Sequence, residues 1–198
     1  MKIGVLGAGT MGNGIAHVFS LYDNNVILVD INDIIINQAL TLIQNNMKRQ
    51  CNKEVITKQR MKKSYNNIIG TTEIGKLFDC DLVIEVVKEN YEIKSNLFKN
   101  LDDICNKNTI LASNTSSISI NSLSKNISRP DKFIGMHFMN PVPIMKLVEI
   151  IKGKNTSDET LQIIRTLTKS IDKIPIECND SPGFVSNRIL MPMINEAA

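Results

Sequence analysis

Lys2-Ile3-Gly4-Val5-Leu6-Gly7-Ala8-Gly9-Thr10-Met11-Gly12 opens the chain and decides how the rest is read. A short apolar run ends in the spacing Gly7-x-Gly9-x-x-Gly12, and apolar residues then recur at helical intervals through Met11, Ile15, Val18 and Phe19. In such a loop the first glycine permits the tight turn and the second lets backbone approach a pyrophosphate. The third lets the helix pack on the strand, and the helix N-terminus stabilises phosphate charge. A glycine loop alone is a weak signal. Here Val26–Val29 reads as a second buried strand, and Asp30 closes it 18 residues past Gly12. A carboxylate at that point accepts hydrogen bonds from an adenosine ribose. The expectation is a dinucleotide site built on Gly7, Gly9, Thr10, Met11, Gly12 and Asp30. Asp30 also favours NAD over NADP, because a carboxylate repels a 2′-phosphate and Ile31 and Asn32 supply no arginine.

Outward from this βαβ unit, the pattern continues as alternating strands and helices. Asn32–Lys63 reads as a helix pair projecting from the sheet, with Ile34, Ile35, Ala39, Leu42, Ile43 and Met47 on one face. Its second half is basic, through Lys48, Arg49, Lys53, Lys58, Arg60, Lys62 and Lys63. Ile68–Gly70, Leu82–Val86, Thr109–Ala112, Phe133–His137, Leu147–Ile151 and Ile174–Glu177 read as strands. Helices are expected from Glu89 to about Asp103 and over Ser157–Ile171, and another begins near Phe184 after Asp180-Ser181-Pro182-Gly183. That last helix carries no stop signal before Ala198. The predicted class is α/β, a Rossmann-type doubly wound sheet. Residues 1–180 are expected to form the nucleotide-binding domain. Residues 181–198 would begin a second, all-helical domain that is otherwise missing.

Composition narrows the functional classes. A net charge of +3 and 5% aromatic residues argue against nucleic acid as a partner. No stretch approaches the roughly 20 apolar residues of a membrane span. Cys51, Cys80, Cys105 and Cys178 form no C-x-x-C pair and read as free thiols of a reducing, cytoplasmic compartment. No cluster of metal-ligand spacing occurs, and no metal is expected.

The chain has two histidines. His17 lies among Ile15, Ala16, Val18 and Phe19 on the first helix and reads as structural. His137 ends a strand in Gly135-Met136-His137-Phe138-Met139-Asn140-Pro141-Val142-Pro143. Strand carboxyl ends are where open α/β sheets bind ligands. Glu149 interrupts the apolar run Leu147-Val148-Glu149-Ile150-Ile151, where a charge is costly unless paired. A carboxylate beside an imidazole fixes its tautomer and favours its protonated form, which suits a general acid/base.

The glycine loop, Ser113-Asn114-Thr115-Ser116-Ser117, Gly135–Lys146 with Leu147–Ile151, and Asp180-Ser181-Pro182-Gly183-Phe184-Val185-Ser186-Asn187-Arg188 together resemble the L-3-hydroxyacyl-CoA dehydrogenases. The likeness runs along the whole chain and is strongest to the bacterial 3-hydroxybutyryl-CoA type. It implies that His137 is the acid/base, that Glu149 orients it, and that Ser116 and Asn187 hydrogen-bond the reacting oxygen or nearby substrate. It also implies that Glu89, Lys94, Ser116 and Asn140 lie near the nicotinamide and its ribose. It implies NAD as cofactor, an acyl-CoA substrate and a homodimeric full-length form. Lys48 and Lys53 are the coenzyme A candidates, since Asn46 stands about where the family has a serine. Family members continue into a helical domain that closes over the substrate, so this chain is expected to bind NAD and turn over weakly. The alternatives are a non-catalytic, crystallin-like relative and a dehydrogenase of another small 3-hydroxy acid.

Overall fold

The computed structural model describes residues 1–198. In chain order the elements are β1 (Lys2–Leu6), α1 (Thr10–Leu21), β2 (Asn25–Val29), α2 (Asp33–Asn52), α3 (Lys58–Asn66), β3 (Ile68–Thr71), β4 (Leu82–Glu85), α4 (Tyr91–Ile104), β5 (Ile110–Ser113), α5 (Ile120–Leu123), β6 (Phe133–Phe138), β7 (Leu147–Lys152), α6 (Asp158–Ser170), β8 (Ile174–Asn179) and α7 (Ser186–Ala197). The strands form one sheet in the order β3-β2-β1-β4-β5-β6-β7-β8. All neighbours are parallel except β6 and β7, which run antiparallel. The strand order reverses between β1 and β4, which opens a crevice at their carboxyl ends.

Two apolar layers hold this sheet, and strand periodicity sorts residues between them. Ile3, Val5, Val26, Leu28, Leu82, Ile84, Ile134, Met136, Val148 and Ile150 face α1, α2 and α6 in the larger cluster. Leu6, Ile27, Val29, Val83, Leu111, Phe133 and Ile151 face α4 and α5 in the other. Each fully buried side chain of this kind contributes about 1.5–3 kcal/mol. His137 and Glu149 share the parity of Phe133 and Ile151, and so lie on the α4–α5 side.

Three local expectations shift. The expected helix pair, α2 and α3, is rooted on α1 and β3. Its inward face is Ile36, Ala39, Ile43 and Met47, while Ile34 and Leu42 are exposed. Three consecutive isoleucines left the helical phase open, and the start at Asp33, capped by Asn32 through the Ile34 amide at 2.7 Å, sets it. The helix expected to begin at Glu89 begins at Tyr91, because Asn90 caps it by accepting from the Ile93 amide at 3.0 Å. The last helix begins at Ser186 rather than near Phe184, because Phe184 takes a positive φ of 49° and is buried. No helix is long and apolar enough to cross a membrane.

Candidate functional site

The glycine loop closes β1 as the spacing predicts. Gly7 has φ +112°, and a Cβ there would meet Val86 O at 2.6 Å. A Cβ on Gly12 would meet Gly7 O at 1.7 Å, so only glycine lets α1 approach the strand this closely. Gly9 faces open space, leaving room for a ligand against the backbone. α1 has no acidic residue in its first turn, so the positive end formed around Thr10 and Met11 is uncompensated. Asp30 Oδ2 accepts from the Ala8 amide at 2.7 Å, and Oδ1 from the Ile31 amide at 2.8 Å. The carboxylate thus braces the loop at the mouth of a cavity of about 830 Å³, lined by Gly7, Gly9, Asp30, Val87, Ile93 and Leu97 among others. A cradle a Cβ would fill, an uncompensated helix terminus and an apolar slot fit the two phosphates and the adenine of a dinucleotide.

The carboxyl ends of β4 and β5 form a second group. Glu89 Oε1 accepts from the Ser116 amide at 3.0 Å, the Ser117 amide at 3.2 Å, the Ser117 hydroxyl at 3.0 Å and the Thr115 hydroxyl. Burial pushes the Glu89 carboxyl up, but hydrogen bonds from Thr115, Lys94 and Ser117 outweigh it and hold the group below its usual range. Lys94 is 1% exposed and its ammonium contacts Glu85 at 2.5 Å, Val87 O at 3.2 Å and Glu89 at 3.3 Å. With three donors and three partners, Lys94 braces Glu89 rather than reaching into the crevice. Glu85, fully buried, also accepts from Ser113 Oγ at 2.7 Å and the Val87 amide at 2.7 Å. Sequence reasoning passed over Glu85. The signal was present, since a carboxylate closing Leu82-Val83-Ile84 needs a partner for the same reason Glu149 does.

The third group is the imidazole–carboxylate pair. β6 and β7 place His137 directly opposite Glu149. His137 Nδ1 lies 2.7 Å from Glu149 Oε2, and both residues are buried. Nε2 of His137 has no partner within the chain, and it is not sealed off, since His17 Nδ1 is the one fully buried side-chain polar atom left unpartnered. Glu149 Oε1 accepts from the Val185 amide at 3.1 Å, the Ser186 amide at 2.7 Å and the Ser186 hydroxyl at 3.0 Å. Burial raises the Glu149 carboxyl, yet the bonds from His137, Ser186 and Val185 together hold it below its usual range. The Asn114 side chain accepts from the Phe138 amide at 2.8 Å and pins the end of β6 to that of β5.

Ser116 and Asn187 meet at this corner, where Asn187 Nδ2 donates to Ser116 O at 3.4 Å. The Ser116 hydroxyl makes no hydrogen bond within the chain and is free for a ligand. Asn140 is exposed just past β6. Asp180 anchors the corner by accepting from Ser119 Oγ at 2.7 Å and the amides of Ile120 at 3.0 Å and Asn121 at 2.8 Å. It caps α5 from the turn after β8, a role that composition and spacing do not reveal. Lys48 and Lys53 are separate from this corner and from each other. Lys48 lines a groove of about 520 Å³ between α2 and α3 with Lys58, Lys62 and Tyr65, whereas Lys53 follows α2 outside it.

Residues 2–181 match the family profile described as 3-hydroxyacyl-CoA dehydrogenase, NAD binding domain. The chain is 45% identical over 197 residues to a 3-hydroxybutyryl-CoA dehydrogenase of Clostridioides difficile, covering 100% of this chain and 70% of that protein. It is 47% identical to a probable 3-hydroxybutyryl-CoA dehydrogenase of Deinococcus radiodurans, with the same coverage. The crystal structure of (S)-3-hydroxybutyryl-CoA dehydrogenase from Ralstonia eutropha superposes with a TM-score of 0.97 at 46% identity, over 99% of this chain and 69% of that one.

Proposed function

Since the chain belongs to the 3-hydroxyacyl-CoA dehydrogenase family and carries its NAD-binding domain, we propose that it interconverts a short 3-hydroxyacyl-CoA and its 3-keto form, with 3-hydroxybutyryl-CoA and acetoacetyl-CoA as the first pair to test. The observation that carries this reading is the buried His137–Glu149 pair, at 2.7 Å with His137 Nε2 left open, beside a dinucleotide crevice.

Bound at the loop, NAD would supply the hydride acceptor. Gly7, Gly9, Gly12 and the first turn of α1 would hold its phosphates, and Asp30 would take the adenosine ribose. Glu89 and Asn140 would serve the nicotinamide half, with Lys94 supporting Glu89. In oxidation, His137 Nε2 takes the proton of the 3-hydroxyl. In reduction the imidazolium returns a proton to the ketone oxygen. Glu149 stabilises the imidazolium, and transfer of the imidazolium proton to the ketone oxygen in reduction, or to solvent after oxidation, returns the pair to neutral imidazole and carboxylate. The Ser116 hydroxyl and the Asn187 amide are assigned to the reacting oxygen. Coenzyme A is assigned to the basic groove at Lys48, with Lys53 as the second candidate.

Residues 1–180 form the cofactor domain on this reading, and 181–198 begin a second, helical unit. Ile189, Leu190, Met191 and Met193 are exposed on α7. An exposed apolar helix face of this kind is a surface on which a further helical segment can pack. NADH and NADPH titrations by fluorescence, followed by NADH oxidation with acetoacetyl-CoA and with acetoacetate, test the proposal. The expected result is tighter binding of NADH than of NADPH, and oxidation with the thioester alone. Equal rates with free acetoacetate would remove coenzyme A from the account.

A further inference from the structure

Glu149 has two oxygens, and His137 uses only Oε2. Oε1 accepts three bonds from the start of α7, two from Ser186 and one from Val185. The first amides of a helix have no acceptors of their own, and the helix N-terminus favours an anion. α7 has no capping side chain at its own N-cap, Val185. Glu149, on β7, fills that place. The approach to α7 is shaped to reach it, with φ of +74° at Gly183 and +49° at Phe184. Phe184 then packs beside the His137 ring, with centroids 5.9 Å apart. The next residue after Ser186 is Asn187, which holds Ser116 O. One turn of helix therefore touches the carboxylate of the dyad, carries Asn187 and reaches the backbone of Ser116.

We propose that Ser186 is a positioning residue for the reaction: its hydroxyl and amide fix Glu149 Oε1, keep Oε2 on His137 Nδ1, and hold Asn187 in register with the dyad. This rests on the dehydrogenase reading given above. The titratable groups that face Glu149 are His137 from β6 and Cys178 from β8, whose sulfur lies 3.8 Å from Oε1. The Ser186 hydroxyl carries no charge, so its removal alters the field at Glu149 without adding a titrating group.

The test is Ser186→Ala, read first by ¹³C NMR of the Glu149 carboxyl, assigned by its loss in Glu149→Gln. One hydrogen bond to a carboxylate fewer is expected to raise the Glu149 titration by about one pH unit. The kcat for acetoacetyl-CoA reduction is expected to fall by roughly three- to tenfold. KM for NADH should not move, and Ser186→Thr should restore both quantities. An unchanged carboxyl titration in Ser186→Ala would overturn the proposal, as would a fall in kcat that threonine fails to rescue. His137→Asn separates this from the reading it rests on. Full turnover in that variant would overturn His137 as the acid/base, while the Glu149 titration in Ser186→Ala would still report on Ser186.

Discussion

His17 and His137 are both buried, and each touches one polar side chain, yet they sit on opposite sides of the sheet and in opposite chemistry. His17 lies on α1 with Nε2 at 3.1 Å from Gln50 Oε1, and its Nδ1 is sealed without a partner. Burial dominates there and pushes the imidazole down to about 4, so the ring stays neutral. His137 has an ionised carboxylate on Nδ1 and an open Nε2. Being buried and hydrogen-bonded is common to both. The charge of the partner and the openness of the second nitrogen separate a packing histidine from an acid/base.

The sharpest way to break this contrast is to replace each ring. His137→Asn is expected to lower acetoacetyl-CoA-dependent NADH oxidation by about 10²- to 10⁴-fold, with NADH binding retained in a fluorescence titration. His17→Gln should leave turnover within about twofold. Similar losses in both variants would erase the distinction. Glu149→Gln comes next, with turnover expected to fall on the order of 10²-fold. It should also lose amide protection at Val185 and Ser186 in hydrogen exchange, because the uncharged group holds those donors less well.

The next effect is on stability. A histidine depressed from 6.5 to about 4 in the fold binds its proton first in the unfolded chain. Its contribution is therefore complete above pH 6.5 and drains away as pH falls from there toward about 4. Urea unfolding at pH 7 and pH 4.5 should differ by a His17 component on the order of 2 kcal/mol, absent in His17→Gln. Glu149 and Glu89 act lower on the scale. Their depressed carboxyls stabilise the fold above their unfolded values and lose that contribution as pH falls through the folded ones. The smallest effect is expected from Gln50→Leu, which removes the only partner of the His17 ring and should cost about 1–2 kcal/mol in the same assay, with turnover unchanged.

Much of this was legible in the chain. The spacing of Gly7, Gly9, Gly12 and Asp30 carries its own geometry, because a tight turn, a close helix and a strand end are local events within one βαβ unit. Glu149 could be suspected because a charge in Leu147–Ile151 demands a partner wherever the strand packs. The same argument applied to Glu85 and would have found Lys94. Other features left no local trace. Ser186 looks like an ordinary helix-start residue and Asp180 like a turn residue, since the groups they hold are 37 and about 60 positions away. Lys94 matched a ligand-facing position, but only the packing around Glu85 reveals that all its donors are used.

The sequence by itself determined the alternation of apolar strands and amphipathic helices, the glycine loop, and the presence of His137 and Glu149 within the apolar runs Phe133–Phe138 and Leu147–Ile151. These follow from short-range rules of period, turn and desolvation. Only the tertiary structure decided that β7 runs antiparallel to β6. That single reversal sets His137 opposite Glu149 on one face of the sheet. It likewise decided that α7 returns to seat its first amides on the same carboxylate. Strand direction and helix return depend on how distant segments bury their apolar faces together, and no window of sequence contains both sides of that contact.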